Sequence, residues 1–165
     1  MEKSEKYKLV IETNFNKLKQ EVKKLKKENK NTKIIFSSEN DDLNRKVLEK
    51  IPEIDFLLIP LSERKDFMKQ KNSGFNHVMA KEAKKNNISI AIGFDEIIDS
   101  KNPEEKSKIL SRIMQNIFLC NKNKLNMVFT SKKHPREIRD IKSLGLVLGM
   151  PTWMTKELGF IKLEN

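Results

Sequence analysis

Five short apolar runs, separated by helical patterns, do most to limit what this chain can fold into. KLVIETN (8–14), KIIFSS (33–38), DFLLIP (55–60), ISIAIGF (88–94) and NMVFTS (126–131) are each rich in Ile, Val, Leu or Phe. They lack the strict apolar/polar alternation of a half-exposed sheet and fit parallel strands covered on both faces. Between them, Phe15, Leu18, Val22 and Leu25 recur at helical spacing within 15–30, and Leu43, Val47, Leu48 and Ile51 do so after an Asp41-Asp42 start. A strand and helix alternating in this way predicts a parallel sheet with right-handed crossovers. Five units fall short of the eight of a standard barrel. The expected class is therefore α/β, as a partial or distorted TIM-like (β/α) barrel. The 165 residues suit a single domain, 1–165, and no low-complexity segment marks a second.

The helix after the fourth strand is the best delimited. Asn102-Pro103-Glu104-Glu105 supplies a cap, a proline for the first turn and acidic side chains for the positive end of the helix dipole. Its stripe of Ile109, Leu110, Ile113, Met114, Ile117 and Phe118 is expected to face inward. LSERKDFMKQKN (61–72) is the one long polar connection. It follows a strand's carboxyl end, where α/β folds place ligand contacts, and it also reads as a mobile surface loop.

The charge narrows the partners. Lys and Arg number 34 against 23 Asp and Glu, a net charge of +11, which favours a polyanion bound through phosphate contacts and counterion release. The single cysteine, Cys120, lies in apolar IMQNIFLC and reads as a buried thiol. Lysines and glutamates follow Met1, and no run approaches the roughly 20 apolar residues of a membrane helix, so a cytoplasmic protein with no membrane partner is expected.

Several chemistries lack their residues. There is no GxxxxGK[ST], no GxGxxG, and no Cys/His spacing suited to zinc. His77 and His134 are the only histidines, too few for the metal clusters of barrel phosphoesterases. Asp95 and Glu96 follow the fourth strand but read as helix-start or solvent residues. Tyr7 and Trp153 are isolated, and most phenylalanines fall within apolar periodicities, so base stacking is not indicated. What remains is recognition of folded RNA by Lys and Arg. The candidate contacts are Arg45, Arg64, Lys65, Lys132, Lys133, His134, Arg136 and Arg139, and no protein-bound metal or cofactor is expected.

The order of these elements resembles the archaeal ribonuclease P protein component 3 family, the thirty-kilodalton subunit with a PHP-like barrel. Asn44-Arg45 on a helix is followed by DFLLIP, with Asp55 and Pro60. SGFNHVMAKEAKKNN (73–87) supplies Gly74, Asn76, His77 and Lys81. Farther on, Thr130 and Ser131 end a strand, and Arg136, Asp140, Leu144 and Gly145 enter an apolar helix. The likeness covers nearly the whole chain, most specifically 43–94 and 126–150.

The resemblance implies a non-catalytic protein subunit that helps a catalytic RNA remove the 5′ leader from precursor tRNA. Ribonuclease P RNA and protein component 2 would be its direct partners. Precursor tRNA would be reached through the complex, and Mg2+ would sit on the RNA. Two other functions stay open: a metal-dependent phosphoesterase of PHP-like type, and a non-catalytic protein-interaction module. Single residues keep two readings as well. Arg136 and Asp140 stand four apart and could pair within a helix, or Arg136 could meet RNA. His77 serves helix entry, packing or the site, Gly74 suits helix entry, and Lys132, Lys133 and His134 are either solvated or facing RNA.

Two departures stand out. The family's Ser-Asp-Ala after the last strand is replaced by Ser131-Lys132-Lys133, and KLVIETN aligns with an internal strand of the family. An incomplete barrel has open edges. The strand at 8–14 or at 126–131 is therefore expected to be covered by another chain or by the tail 151–165, with FIKL (160–163) an internal candidate.

Overall fold

Each apolar run forms a strand that pairs in parallel with the next in sequence. The computed structural model describes residues 5–164, so the chain's opening at Met1 lies outside the described residues. The elements are β1 (Tyr7–Ile11), α1 (Phe15–Glu28), β2 (Lys33–Ser37), α2 (Asp41–Lys50), β3 (Phe56–Leu58), α3 (His77–Lys85), β4 (Ser89–Gly93), α4 (Phe94–Ile98), α5 (Pro103–Asn123), β5 (Met127–Ser131), α6 (Ile138–Val147), α7 (Thr152–Glu157) and β6 (Gly159–Lys162). Among the described residues the sheet has six strands in chain order, all neighbours parallel. It is a partial TIM-like barrel, curled and open.

Alternation along the strands divides the core. Val10, Ile34, Phe36, Leu57, Ile90, Ile92 and Phe129 point outward beneath the helices and belong to the main core. Ile35, Ile161 and Leu163, with Tyr7, Leu9, Phe56, Leu58 and Val128, pack on the concave face. Four helices start on an asparagine, Asn14, Asn40, Asn76 and Asn102, whose side chain accepts a backbone N–H of the first turn.

The edge question is resolved within the chain on one side. β6 contains most of FIKL and pairs with β5, so the strand at 127–131 is covered by the tail. Among the described residues β1 has a neighbour only at β2. The curl brings its Leu9 and Ile11 to one side of a groove of about 440 Å³, with Leu163 on the other.

The α5 stripe needs correction. Met114 and Phe118 are 50% and 66% exposed, and the inward line is instead Ile109, Arg112, Ile113, Asn116, Ile117 and Cys120. Hydropathy selects apolar residues alone, whereas the face that packs includes an arginine and an asparagine. Cys120 is buried as expected, and burial pushes its thiol up from the ordinary range.

One carboxylate fastens the amino ends of the strands. Asp55 accepts from Lys26 Nζ (2.9 Å), Lys33 Nζ (3.0 Å) and the Ile34 N–H (2.9 Å), joining α1, β2 and the start of β3. Burial alone would raise its pKa, but these three donors outweigh it and hold the carboxyl below its ordinary value. With the folded-state pKa depressed, the stabilisation is complete above about pH 4 and disappears as pH falls through the folded value. Asp55→Asn is expected to lower stability by about 1.5–3 kcal/mol at pH 7, with the difference from the parent protein shrinking towards pH 3. Urea unfolding at the two pH values measures both.

Candidate nucleic-acid interface

The carboxyl ends of the strands carry two built loops. The first, 59–76 between β3 and α3, is held from inside the protein. Arg112 of α5 is only 2% exposed. Its guanidinium donates to Leu61 O (2.8 Å), to Arg64 O (2.7 Å) and, through Nε and Nη2, to Asp66 Oδ1 (3.1 and 3.0 Å). Asp66 also accepts the Asn72 N–H at 2.9 Å and Lys71 Nζ at 3.3 Å. Burial opposes its ionisation, yet the Asn72 N–H, Arg112 and Lys71 together hold its pKa down at about 2.

Arg64, a candidate RNA contact, is turned into this framework. It grips Asp41 of α2 with both terminal nitrogens (2.9 Å each), donates to Pro60 O and lies 3.4 Å from Asn72 Oδ1. Its side chain is 10% exposed. Gly74 has φ +66°, and a Cβ there would collide with the Arg64 guanidinium, so the glycine serves both a left-handed turn and a close approach. Lys65 is exposed in the same loop.

The second loop follows β5 and is organised by α4. Asp95 accepts Ser131 Oγ at 2.5 Å, Lys132 N at 2.7 Å, His134 N at 3.2 Å and Lys133 N at 3.4 Å. Burial again works against the charge, and these donors lower its pKa regardless. One turn along, Asp99 meets His134 Nε2 at 2.7 Å and Lys133 Nζ at 3.0 Å, and both contacts lower its pKa. Ser131 is buried, while Lys132 and Lys133 are exposed.

Arg136 precedes α6 and lies over the Phe94 ring, 5.5 Å from its centroid. It makes no ion pair with Asp140, because the residue stands outside the helix whose four-residue spacing would have brought the two together. Arg139 and Asp140 are exposed. Among the described residues, Lys132, Arg136 and Arg139 have no carboxylate partner.

The remaining candidates lie apart from this turn in sequence and in role. Arg45 of α2 pairs with Glu49 one turn on. Asn44 is fully buried and donates from Nδ2 to Ser38 O at 2.9 Å. Asn76 caps α3, and His77 and Lys81 are exposed on that helix. Glu96 is buried enough to raise its pKa and accepts the Leu61 N–H and Ser62 Oγ. Among the described residues no group of three or more His, Cys, Asp or Glu is arranged to hold a metal ion, and no helix is long and apolar enough to cross a membrane.

Sequence reasoning missed Arg112, Asp66 and the capping role of Asp95. For Arg112 the signal was present, since it occupies the i+3 position of a core-facing stripe that begins at Ile109. Asp66→Ala is expected to cost about 3 kcal/mol, because it strips a buried guanidinium of its counter-charge. Trypsin should then cut at Lys65, Lys69 or Lys71 at least tenfold faster than in the parent protein, as read by limited proteolysis with mass analysis of the fragments.

A family model described as RNase P subunit p30 matches residues 9–158. None of the curated proteins matches. Among solved structures, a chain of the cryo-EM structure of archaeal Ribonuclease P with mature tRNA superimposes with a TM-score of 0.73 and 22% identity. The match covers 91% of this chain and 62% of that one, so the chain spans less than two thirds of its structural neighbour.

Proposed function

The chain belongs to the RNase P subunit p30 family, and from that footing we propose that it is a protein subunit of ribonuclease P, supporting a catalytic RNA that removes the 5′ leader from precursor tRNA. The observation that carries this reading is the turn after β5. Asp95 binds it through the Ser131 hydroxyl and three backbone N–H groups, and among the described residues Lys132, Arg136 and Arg139 are left exposed without carboxylate partners. Such a turn has a fixed path and free cations, which suits phosphate contact more than chemistry.

The carboxylates at the strand ends support a non-catalytic role. Asp95 holds the 132–134 backbone and the Ser131 hydroxyl, and Glu96 holds the Leu61 N–H and the Ser62 hydroxyl, so both have structural duties. In this reading the RNA performs the cleavage, with Mg2+ bound on the RNA. The protein neutralises phosphates and keeps packed RNA helices in place. Precursor tRNA is met through the complex, in the cytoplasm.

Protein component 2 is the proposed protein partner. Met114 and Phe118, one turn apart on the outer face of α5, and Phe67 and Met68 in the 59–76 loop are exposed apolar side chains of the kind that a protein partner covers.

The test is precursor-tRNA cleavage at limiting Mg2+ by an archaeal-type ribonuclease P RNA with its other protein subunits, with and without this chain. Stimulation is expected, and Lys132→Ala/Arg136→Ala should weaken RNA binding and reduce the salt slope by between one and two units. Failure of the folded protein to stimulate cleavage would overturn the subunit reading.

A further inference from the structure

Helix α1 carries unlike charges on its two flanks. Leu18 and Val22 are buried, with Phe15 and Leu25 packed beside them, which fixes the inner face. At 3.6 residues per turn, Lys19, Lys23 and Lys27 follow one another along a single flank, and Lys30 extends the line past the helix end. Glu21 and Glu28 fall on the opposite flank, each four residues after a lysine, Lys17 and Lys24. That flank is balanced by pairs of favourable spacing, while the other is purely cationic and self-repelling.

Two contacts show what the cationic flank faces. Lys26, on the same side, reaches Asp55 at the head of β3 (2.9 Å), and Lys46 of α2 lies over the Phe15 ring, 4.2 Å from its centroid. The lysine row therefore looks towards α2, where Lys46 and Lys50 are exposed. Among the described residues none of Lys19, Lys23, Lys27, Lys30, Lys46 and Lys50 forms an ion pair.

We propose that this flank of α1, with the adjoining side of α2, is a second phosphate-binding surface for folded RNA, separate from the turn after β5. The proposal rests on the reading of the chain as an RNA-bound subunit. The choice of occupant follows from what the surface lacks. None of the exposed large apolar side chains lies on α1 or α2, whereas a membrane-surface helix inserts an apolar face and a protein interface centres on apolar or aromatic anchors. The apolar face of α1 is already used in the core. A row of cations about 6 Å apart along the axis asks only for a polyanion with regularly spaced charges, as a phosphate backbone provides.

The test compares two double variants of the full chain, Lys23→Gln/Lys27→Gln and Lys17→Gln/Lys24→Gln. Each removes two charges from α1 with little change in helix propensity, and circular dichroism checks the fold. Affinity for a transcribed archaeal-type ribonuclease P RNA is measured across a salt series. The first variant should flatten the slope of log affinity against log salt by between one and two units, and the second should leave it near that of the parent protein. An unchanged slope in the first variant, or an equal fall in both, overturns the proposal. So does binding to phosphatidylserine vesicles that only the first variant loses while its RNA slope stays unchanged. If the parent protein neither binds the RNA nor stimulates reconstituted cleavage, the subunit reading falls and takes this surface with it. Binding and stimulation by the parent, with no flank effect, remove the surface alone.

Discussion

A guanidinium without water must find acceptors wherever it is placed, and Arg112 finds them only if one particular loop conformation forms. Its partners are two carbonyls, Leu61 O and Arg64 O, and the Asp66 carboxylate. Any other path for residues 61–66 would leave a buried cation unpaired, a far larger penalty than the modest net gain of the pair itself. The constraint then spreads outward. Asp66 holds Asn72, Asn72 holds the Gly74 N–H, Arg64 in the same loop holds Asp41 of α2, and Glu96 of α4 holds Leu61 from the other side. The longest connection in the chain is thereby tied to α2, α4 and α5. It is anchored along its length and is not the free surface loop that its polar composition allows.

Elements were readable where the physics is local. Short apolar runs and the Asn-Pro-Glu-Glu start reflect interactions within a few residues, and the corresponding strands and helices are present with ends shifted by a few positions. The sixth strand was harder to read. Gly159–Lys162 is short, and its partner is fixed by the curl of the sheet rather than by its own pattern. The α5 stripe was misdrawn for a related reason: hydropathy assigns Met114 and Phe118 inward, but the packing face follows geometry and takes in Arg112 and Asn116.

The candidate site was less legible than the fold, because its determining contacts span the chain. Arg112 and Asp66 lie 46 positions apart, Lys132 and Asp95 37 apart. Sequence could name Lys132, Lys133 and Arg136 as cations after a strand. It could not show that Asp95 fixes their backbone, that Arg64 is committed to Asp41, or that Arg136 rests on Phe94 instead of pairing with Asp140. Isolated acidic residues after a strand look alike whether they face solvent or gather four donors.

The division of labour between the two basic side chains has a consequence for recognition. Arg64 and Arg112 point inward, where a planar fork with several donors can satisfy clustered carbonyls and carboxylates at once. The outer surface carries Arg45, Arg136 and Arg139 among a much larger number of lysines, each lysine a hydrated point charge on a flexible stem. Such groups attract phosphate without reading bases and lose much of their hold as salt rises. Orientation on a folded RNA must then come from how the charges are arranged, and that arrangement is only as rigid as the elements beneath it. Asp55 beneath α1 and Asp95 beneath the turn after β5 supply this rigidity, each using a carboxylate with depressed pKa to fix backbone next to a group of free cations. These two acidic residues thus contribute by setting where the positive charge lies.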